Sequence, residues 1–209
     1  MLSRLSPRTT KIIAGALAAV ACVLLGFVIG SVTAQPDAPD EHSAEAGFAR
    51  DMSVHHAQAV EMGMIAFEKA TVEHVRTLGV DMALTQQAQI GMMNAWLQSW
   101  GLSPNSDDPP MAWVPGGSSM VRGNLMPGMA TREEIQQLQR AEGRQVDILF
   151  LQYMVRHHLG GIHMAEEVIK ANPRPEVRAL AETMISGQSG EVEVMRKLLA
   201  DLGAQPLPS

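Results

Sequence analysis

The sequence predicts an all-α protein: a four-helix bundle built from two duplicated helical hairpins joined by a long crossover, preceded by one N-terminal transmembrane helix. Three observations carry this reading. The first is a stretch that occurs twice. Phe48, Met52, His55, His56 and Met62 return as Phe150, Met154, His157, His158 and Met164, each 102 positions later. The match continues through Val75 and Val177, Met82 and Met184, Gln86 and Gln188, Met93 and Met195, and Gly101 and Gly203. An ungapped match of that length is an internal repeat, and each unit has room for two helices. The second observation is periodicity: apolar residues recur at steps of three and four, and no useful stretch alternates with strand period. The third is residues 12–34, which carry no charge and follow Arg4, Arg8 and Lys11.

That charge-free run would make a helix about 34 Å long at ~1.5 Å per residue, enough for a bilayer core of ~30 Å. The basic flank orients the N-terminus to the cytoplasm and the remainder outside. An uncleaved anchor in the cell membrane is favoured, because the run exceeds the ~7–15 residues of a signal core. The alternatives are cleavage after Ala34, giving a secreted protein, and lipidation of Cys22, which follows Ala19-Val20-Ala21. Residues 35–45 are rich in Pro, Asp and Ala and read as a flexible linker, with His42 solvated on it.

The bundle is expected over 46–203. Its first hairpin spans 46–101. The first helix covers 46–70, with Phe48, Met52, Ala59, Met62 and Ala66 on one face. Thr71 is the expected N-cap of the second helix, which ends near Trp100 with Gly101 beyond it. Residues 102–130 hold five prolines and four methionines and form the crossover. The second hairpin spans 131–203. Thr131 and Glu134 make a capping box that opens the third helix, which runs to about Ala171 with a disturbance at Gly143. Asn172-Pro173 ends it, and Pro175 opens the fourth helix at a position where its missing N–H is harmless.

Charge and composition narrow the function. The net charge is −6, and residues 1–34 hold three positive charges and no acid, so the remainder carries −9. An acidic domain of this kind repels nucleic acid and anionic membrane surfaces, so nucleic acid is excluded as a partner. The single cysteine rules out an intrachain disulfide, which leaves an extracytoplasmic location open. No phosphate loop, nucleophile elbow, Cys pair or His-Glu-x-x-His is present.

The repeated stretch carries the chemistry. On a helix, Met52 lies one turn before His55 and His56, and Met62 two turns after His55. Met154, His157, His158 and Met164 repeat that geometry. Adjacent histidines point about 100° apart, so one of each pair is expected to face the core and the other a boundary. An imidazole buried beside a bundle axis costs free energy unless it gains a partner, and metal is one such partner. Imidazole and thioether together form a soft donor set that suits copper, or silver by analogy. Iron or manganese is disfavoured, because the Glu-x-x-His pattern of di-iron bundles is missing. Two ordinary roles compete with this one: methionine as core filler, and histidine as a hydrogen-bonded core residue. His163 is a metal candidate too, with an ion pair to Glu166 or Glu167 as its ordinary alternative. Gln86 and Gln188 are expected to hydrogen-bond a histidine ring and fix its tautomer.

Met-x-x-His-His in both units, followed by the segment from Leu180-Ala181 through Gln188, Glu191, Val192 and Met195, resembles the family called domain of unknown function 305. Met126-Pro127-Gly128-Met129 resembles the family's Met-rich lead into the third helix. The resemblance covers roughly 47–203. It implies a ferritin-like, usually exported bundle, with copper binding through Met and His in some relatives. Two departures stand against high-capacity storage: Gln89 where the second unit has Glu191, and a crossover less dense in Met.

The leading expectation is therefore an extracytoplasmic copper-binding protein that buffers the metal or passes it on. Its candidate ligands are His55, His56, Met52, Met62, His157, His158, Met154, Met164 and His163. The rivals are a ferritin-like redox metalloenzyme and a structural or partner-binding bundle. Expected partners are a metal ion and the membrane, through the N-terminal helix; the sequence identifies no protein partner.

Overall fold

The structure, a computed structural model, describes residues 38–207 together with Val20, Cys22 and Val23. Apart from those three residues, the anchor or signal segment expected over 1–34 lies outside the described residues, as do linker residues 35–37. Among the described residues no helix is long and apolar enough to cross a membrane.

Residues 38–207 form five α-helices: α1 Ala44–Lys69, α2 Glu73–Ser99, α3 Arg132–Arg140, α4 Arg144–Lys170 and α5 Pro175–Asp201. There is no strand among the described residues, only one isolated bridge between Arg122 and Leu125. Helix α1 packs against α2 and α4 against α5, giving two hairpins, and α1 and α4 meet as the central pair. The short α3 touches α1 and α4.

The helix ends follow from local chemistry. Ser43 caps α1 by accepting from the Ala46 amide at 3.2 Å. Thr131 and Glu134 make the expected capping box at α3. The third expected helix is in fact two. Gly143, at φ 56 and ψ −141, breaks it, and α4 restarts at Arg144. A left-handed φ there is cheap only for glycine. Pro175 opens α5 as expected.

The cap of α2 is a correction. Its N-cap is Val72, with no side-chain cap of its own. The Thr71 and Val72 amides donate instead to Asp147, each at 3.0 Å, and the Thr71 hydroxyl donates to the same carboxylate at 2.5 Å. Asp147 is wholly buried in the first turn of α4. Its repeat-mate Glu45, in the first turn of α1, accepts from the Arg174 amide at the N-cap of α5, at 2.6 Å. Each hairpin thus supplies the carboxylate that starts the other hairpin's second helix.

The core divides into two apolar clusters. One gathers Met62, Met82, Met154 and Met195 with Phe150 and Leu151. The other gathers Met52, Met93, Met164 and Met184 with Phe48 and Leu97. The repeat operation exchanges them, since Met52 corresponds to Met154 and Met62 to Met164. The pseudo-twofold axis therefore crosses the bundle between the clusters, and α1 and α4 run antiparallel across it.

The crossover is ordered against this frame. Asp51 accepts from the Met111 amide at 2.7 Å and from Trp113 Nε1 at 2.8 Å. The Gln58 amide both donates to Ala130 O, at 3.0 Å, and accepts from Ala130 N, at 2.7 Å. The near half of the expected linker is held as well. Arg50 donates to Glu41 O at 2.8 Å, and His42 lies 2.7 Å from Asp108, so His42 is exposed but paired.

Candidate metal centre

The histidine pairs fall where the two hairpins cross, in the layer between the two methionine clusters. His55 and His157, repeat-mates, stack with ring centroids 3.8 Å apart and planes 32° from parallel. Each lies 6.4 Å, centroid to centroid, from its neighbour, His56 or His158. All four are at most 1% exposed. The expected division into a core and a boundary histidine is corrected. Both α1 and α4 are covered on one side by their hairpin partner and on another by each other, so positions 100° apart are both interior.

Every one of the four rings has an acceptor at Nε2. His55 donates to the Pro127 carbonyl at 3.0 Å, and His157 donates to the His55 carbonyl at 3.0 Å. His56 meets the Gln89 amide oxygen at 2.7 Å, and His158 meets the Glu191 carboxylate at 2.6 Å. A carbonyl or carboxylate oxygen can only accept, so each ring carries a proton on Nε2, and wherever the ring is neutral its lone pair lies on Nδ1. On His55, His56 and His158 that Nδ1 is buried without a partner. Burial makes the neutral form the stable one: it pushes His55 down to about 4 and His56 to about 3, and holds His157 well below the ordinary imidazole range.

Two glutamines complete the layer. Gln86 has neither amide atom hydrogen-bonded, and Gln188 Oε1 is likewise without a partner. Both line a cavity of about 90 Å³ between α2 and α5, with Gln89, Glu191, Thr85 and Thr183 around it. Gly161 makes room for this arrangement. A Cβ there would stand 2.6 Å from Gln188 Oε1 and 3.3 Å from His55 Cε1. The expectation that Gln86 and Gln188 hold the imidazoles is not met. Gln89 and Glu191, one turn further along, take that part.

The structure brings together His55, His56, His157 and His158. It places Met52 and Met164 in one flanking cluster and Met62 and Met154 in the other, all fully buried. His163 stands apart, half exposed on a cleft beside the crossover, with Nε2 4.0 Å from Glu167. Among the described residues no group of three or more His, Cys, Asp and Glu is arranged to hold an ion. Sequence reasoning missed the Pro127 carbonyl, which has no side chain to signal it. It noted Glu191 and Gln89 only as a departure between the units; their shared spacing of 33 from His158 and His56 was the available clue.

Residues 45–199 match the family described as Domain of unknown function (DUF305). A DUF305 protein from Streptomyces coelicolor, provisionally described as secreted, is 43% identical over 81% of this chain and 100% of that one, with a TM-score of 0.75. A DUF305 fragment from Deinococcus radiodurans is 31% identical over 79% of this chain and 99% of that one, with a TM-score of 0.64. CopM in its Cu(II)-bound form is 24% identical over 77% of this chain and 97% of that one, with a TM-score of 0.59, a likeness of fold. No curated protein matches the chain. With more than half its length matched, the chain belongs to the DUF305 family.

Proposed function

We propose that the protein binds a soft metal ion, copper in the first place, in the imidazole layer, and that it does so outside the cytoplasm to buffer the ion or hand it on. One observation carries the reading: four buried imidazoles each turn Nε2 to an acceptor oxygen, and Nδ1 of three of them, His55, His56 and His158, has no partner. Metal-ligating histidines are oriented in this way, with the far N–H given to a carbonyl or carboxylate. A buried acceptor left unpaired costs about 1–3 kcal/mol, and an ion on Nδ1 would recover that loss.

The donor set narrows the ion. Imidazole with thioether nearby suits a soft ion, Cu(I) or Ag(I), over iron or manganese, which carboxylate-rich sites hold. CopM, of the same fold, has Cu(I)-, Cu(II)- and Ag-bound forms. The flanking methionines are the reserve of thioether donors, nearest in sequence to the rings. An extracytoplasmic site agrees with the description of the Streptomyces coelicolor relative and with the basic-then-apolar N-terminus. Neither thioether nor imidazole depends on a reducing compartment as thiolate does.

The test is titration with Cu(I) against a competing chelator, comparing the wild type with a variant carrying His55→Ala, His56→Ala, His157→Ala and His158→Ala. Helicity is checked on both. Loss of high-affinity binding is expected; unchanged affinity in a folded variant overturns the assignment.

A further inference from the structure

The cavity between α2 and α5 lies on the pseudo-twofold axis. Most of its lining is three pairs of repeat-mates: Thr85 and Gly187, Gln86 and Gln188, and Gln89 and Glu191. The axis therefore runs through the cavity and on to the stacked rings of His55 and His157, which are mates themselves. Helices α2 and α5 are not packed closely on each other, unlike the two helices of each hairpin, and the gap opens outward. Thr85 and Gly187 are exposed at its rim, Gln89 and Glu191 are half-buried on its walls, and Gln86 and Gln188 are 3% and 5% exposed at its floor. The walls reach the imidazole layer, since Gln89 and Glu191 hold His56 and His158. The opposite side of the layer is closed at Pro127, whose carbonyl accepts from His55; a Cβ on Gly160 would stand 2.0 Å from that oxygen.

The floor is polar and short of partners. Gln86 has no protein partner on either amide atom, and Gln188 has none on Oε1. Native folds satisfy such buried groups with ordered water where there is room. One water needs about 10–15 Å³ and roughly two to four polar neighbours, and the cavity offers about 90 Å³. Beyond the floor, Gly161 keeps the gap toward the rings open. A Cβ there would stand 2.6 Å from Gln188 Oε1 and 3.3 Å from His55 Cε1, the ring carbon bonded to the unpartnered Nδ1. The repeat-mate of Gly161 is Ala59, which is fully buried, so a methyl group fills the matched place in the other half.

We propose that this cavity is a hydrated port through which a soft ion enters and leaves the imidazole layer, past Gln86, Gln188 and Gly161. Amide oxygens are poor ligands for a soft ion, so the glutamines let it pass without trapping it. The Glu191 carboxylate on the wall draws a cation toward the opening. The hydrated port stands on the unpartnered amides; its traffic rests on the function proposed above.

Stopped-flow measurement of Cu(I) uptake by the full-length chain, and of release to excess chelator, tests the route. The variant is Thr85→Phe, Gly187→Phe. Both positions are exposed, and a Cβ on Gly187 meets nothing within 4 Å, so the fold is spared. A narrowed path raises the barrier equally in both directions. Uptake and release are therefore expected to slow together, severalfold or more, with the equilibrium Kd unchanged. Unchanged rates, or one rate that moves along with Kd, overturn the route. Ser119→Phe puts the same bulk in the cleft beside the crossover and should leave both rates as they are; slowing there instead of at the port also overturns it. The metal-free protein separates the port from the ion. In isotope-labelled wild type, the side-chain amides of Gln86 and Gln188 should show magnetisation transfer from water by NMR; a dry floor, with no transfer to either, sinks the port. If transfer is present but the wild type holds no ion that the four-histidine variant loses, the function proposed above falls and takes the traffic with it, while the hydrated port stands.

Discussion

At the scale of the residue, the histidines decide how stability responds to pH. In the unfolded chain an imidazole titrates near 6.5, whereas burial holds His55 near 4 and His56 near 3 in the fold. Between those values the unfolded state binds protons that the native state refuses. Stability is therefore full above about pH 6.5, falls as the pH drops, and levels off once the folded values are passed. Each such imidazole contributes up to roughly 1.4 kcal/mol per pH unit over that window. Urea midpoints of the metal-free protein at pH 7.5, 6 and 5 should decline in that order; a flat profile would mean that the rings are solvated. The importance of these four residues was legible in the sequence, because a buried-type helix face repeated the same two imidazoles. Their acceptors were not. Pro127 is 72 positions from His55 and acts through its backbone, so no side-chain pattern announces it. The burial of both members of each pair was hidden for a related reason: periodicity shows the widest apolar face of a helix but not how many neighbours cover it.

At the scale of the element, the two hairpins are tied by the carboxylates that cap each other's second helix. Asp147 is wholly buried and accepts from two amides and a hydroxyl. Glu45 is partly exposed and accepts from the Arg174 amide. Asp147→Ala strands those donors and is expected to cost about 1–3 kcal/mol by chemical denaturation. Glu45→Ala should cost less, because water can replace a partly exposed acceptor; the reverse order would show that the buried cap is not what starts α2. The glycines make a second prediction. Gly160→Ala puts a methyl group 2.0 Å from the Pro127 carbonyl, so the crossover segment at Pro127 must shift. A loss of about 1–3 kcal/mol is expected, as for other overpacked positions, together with weaker metal binding as His55 loses its acceptor. The number and type of the long helices were readable from their three- and four-residue steps and their stop signals. The break at Gly143 was visible only as a weak spot. Thr71 was misread because the true cap comes from 76 positions away, and local capping rules see only a few residues.

At the scale of the molecule, the pseudo-twofold predicts equivalence, and one substitution already made by the sequence tests it. The layer is built so that His56 with Gln89 and His158 with Glu191 occupy matched places, yet only the second pair has a carboxylate. That single carboxylate lies against the layer proposed to receive the ion. Exchanging a carboxylate for an amide behind a ligating imidazole typically costs 10–100-fold in metal affinity. Glu191→Gln alone should therefore weaken Cu(I) binding by about that factor. Adding Gln89→Glu puts the charge back on the other side of the axis, at the same spacing of 33 from its histidine. Because the two Nδ1 lone pairs, of His56 and His158, are both buried and unpartnered, the doubly exchanged protein should bind within about threefold of the wild type. Chelator competition measures all three proteins on one scale, and thermal unfolding shows whether the exchange is tolerated. If the double variant is as weak as Glu191→Gln alone, the halves of the bundle are alike in backbone but not in function, and the ion belongs to the His158 side only.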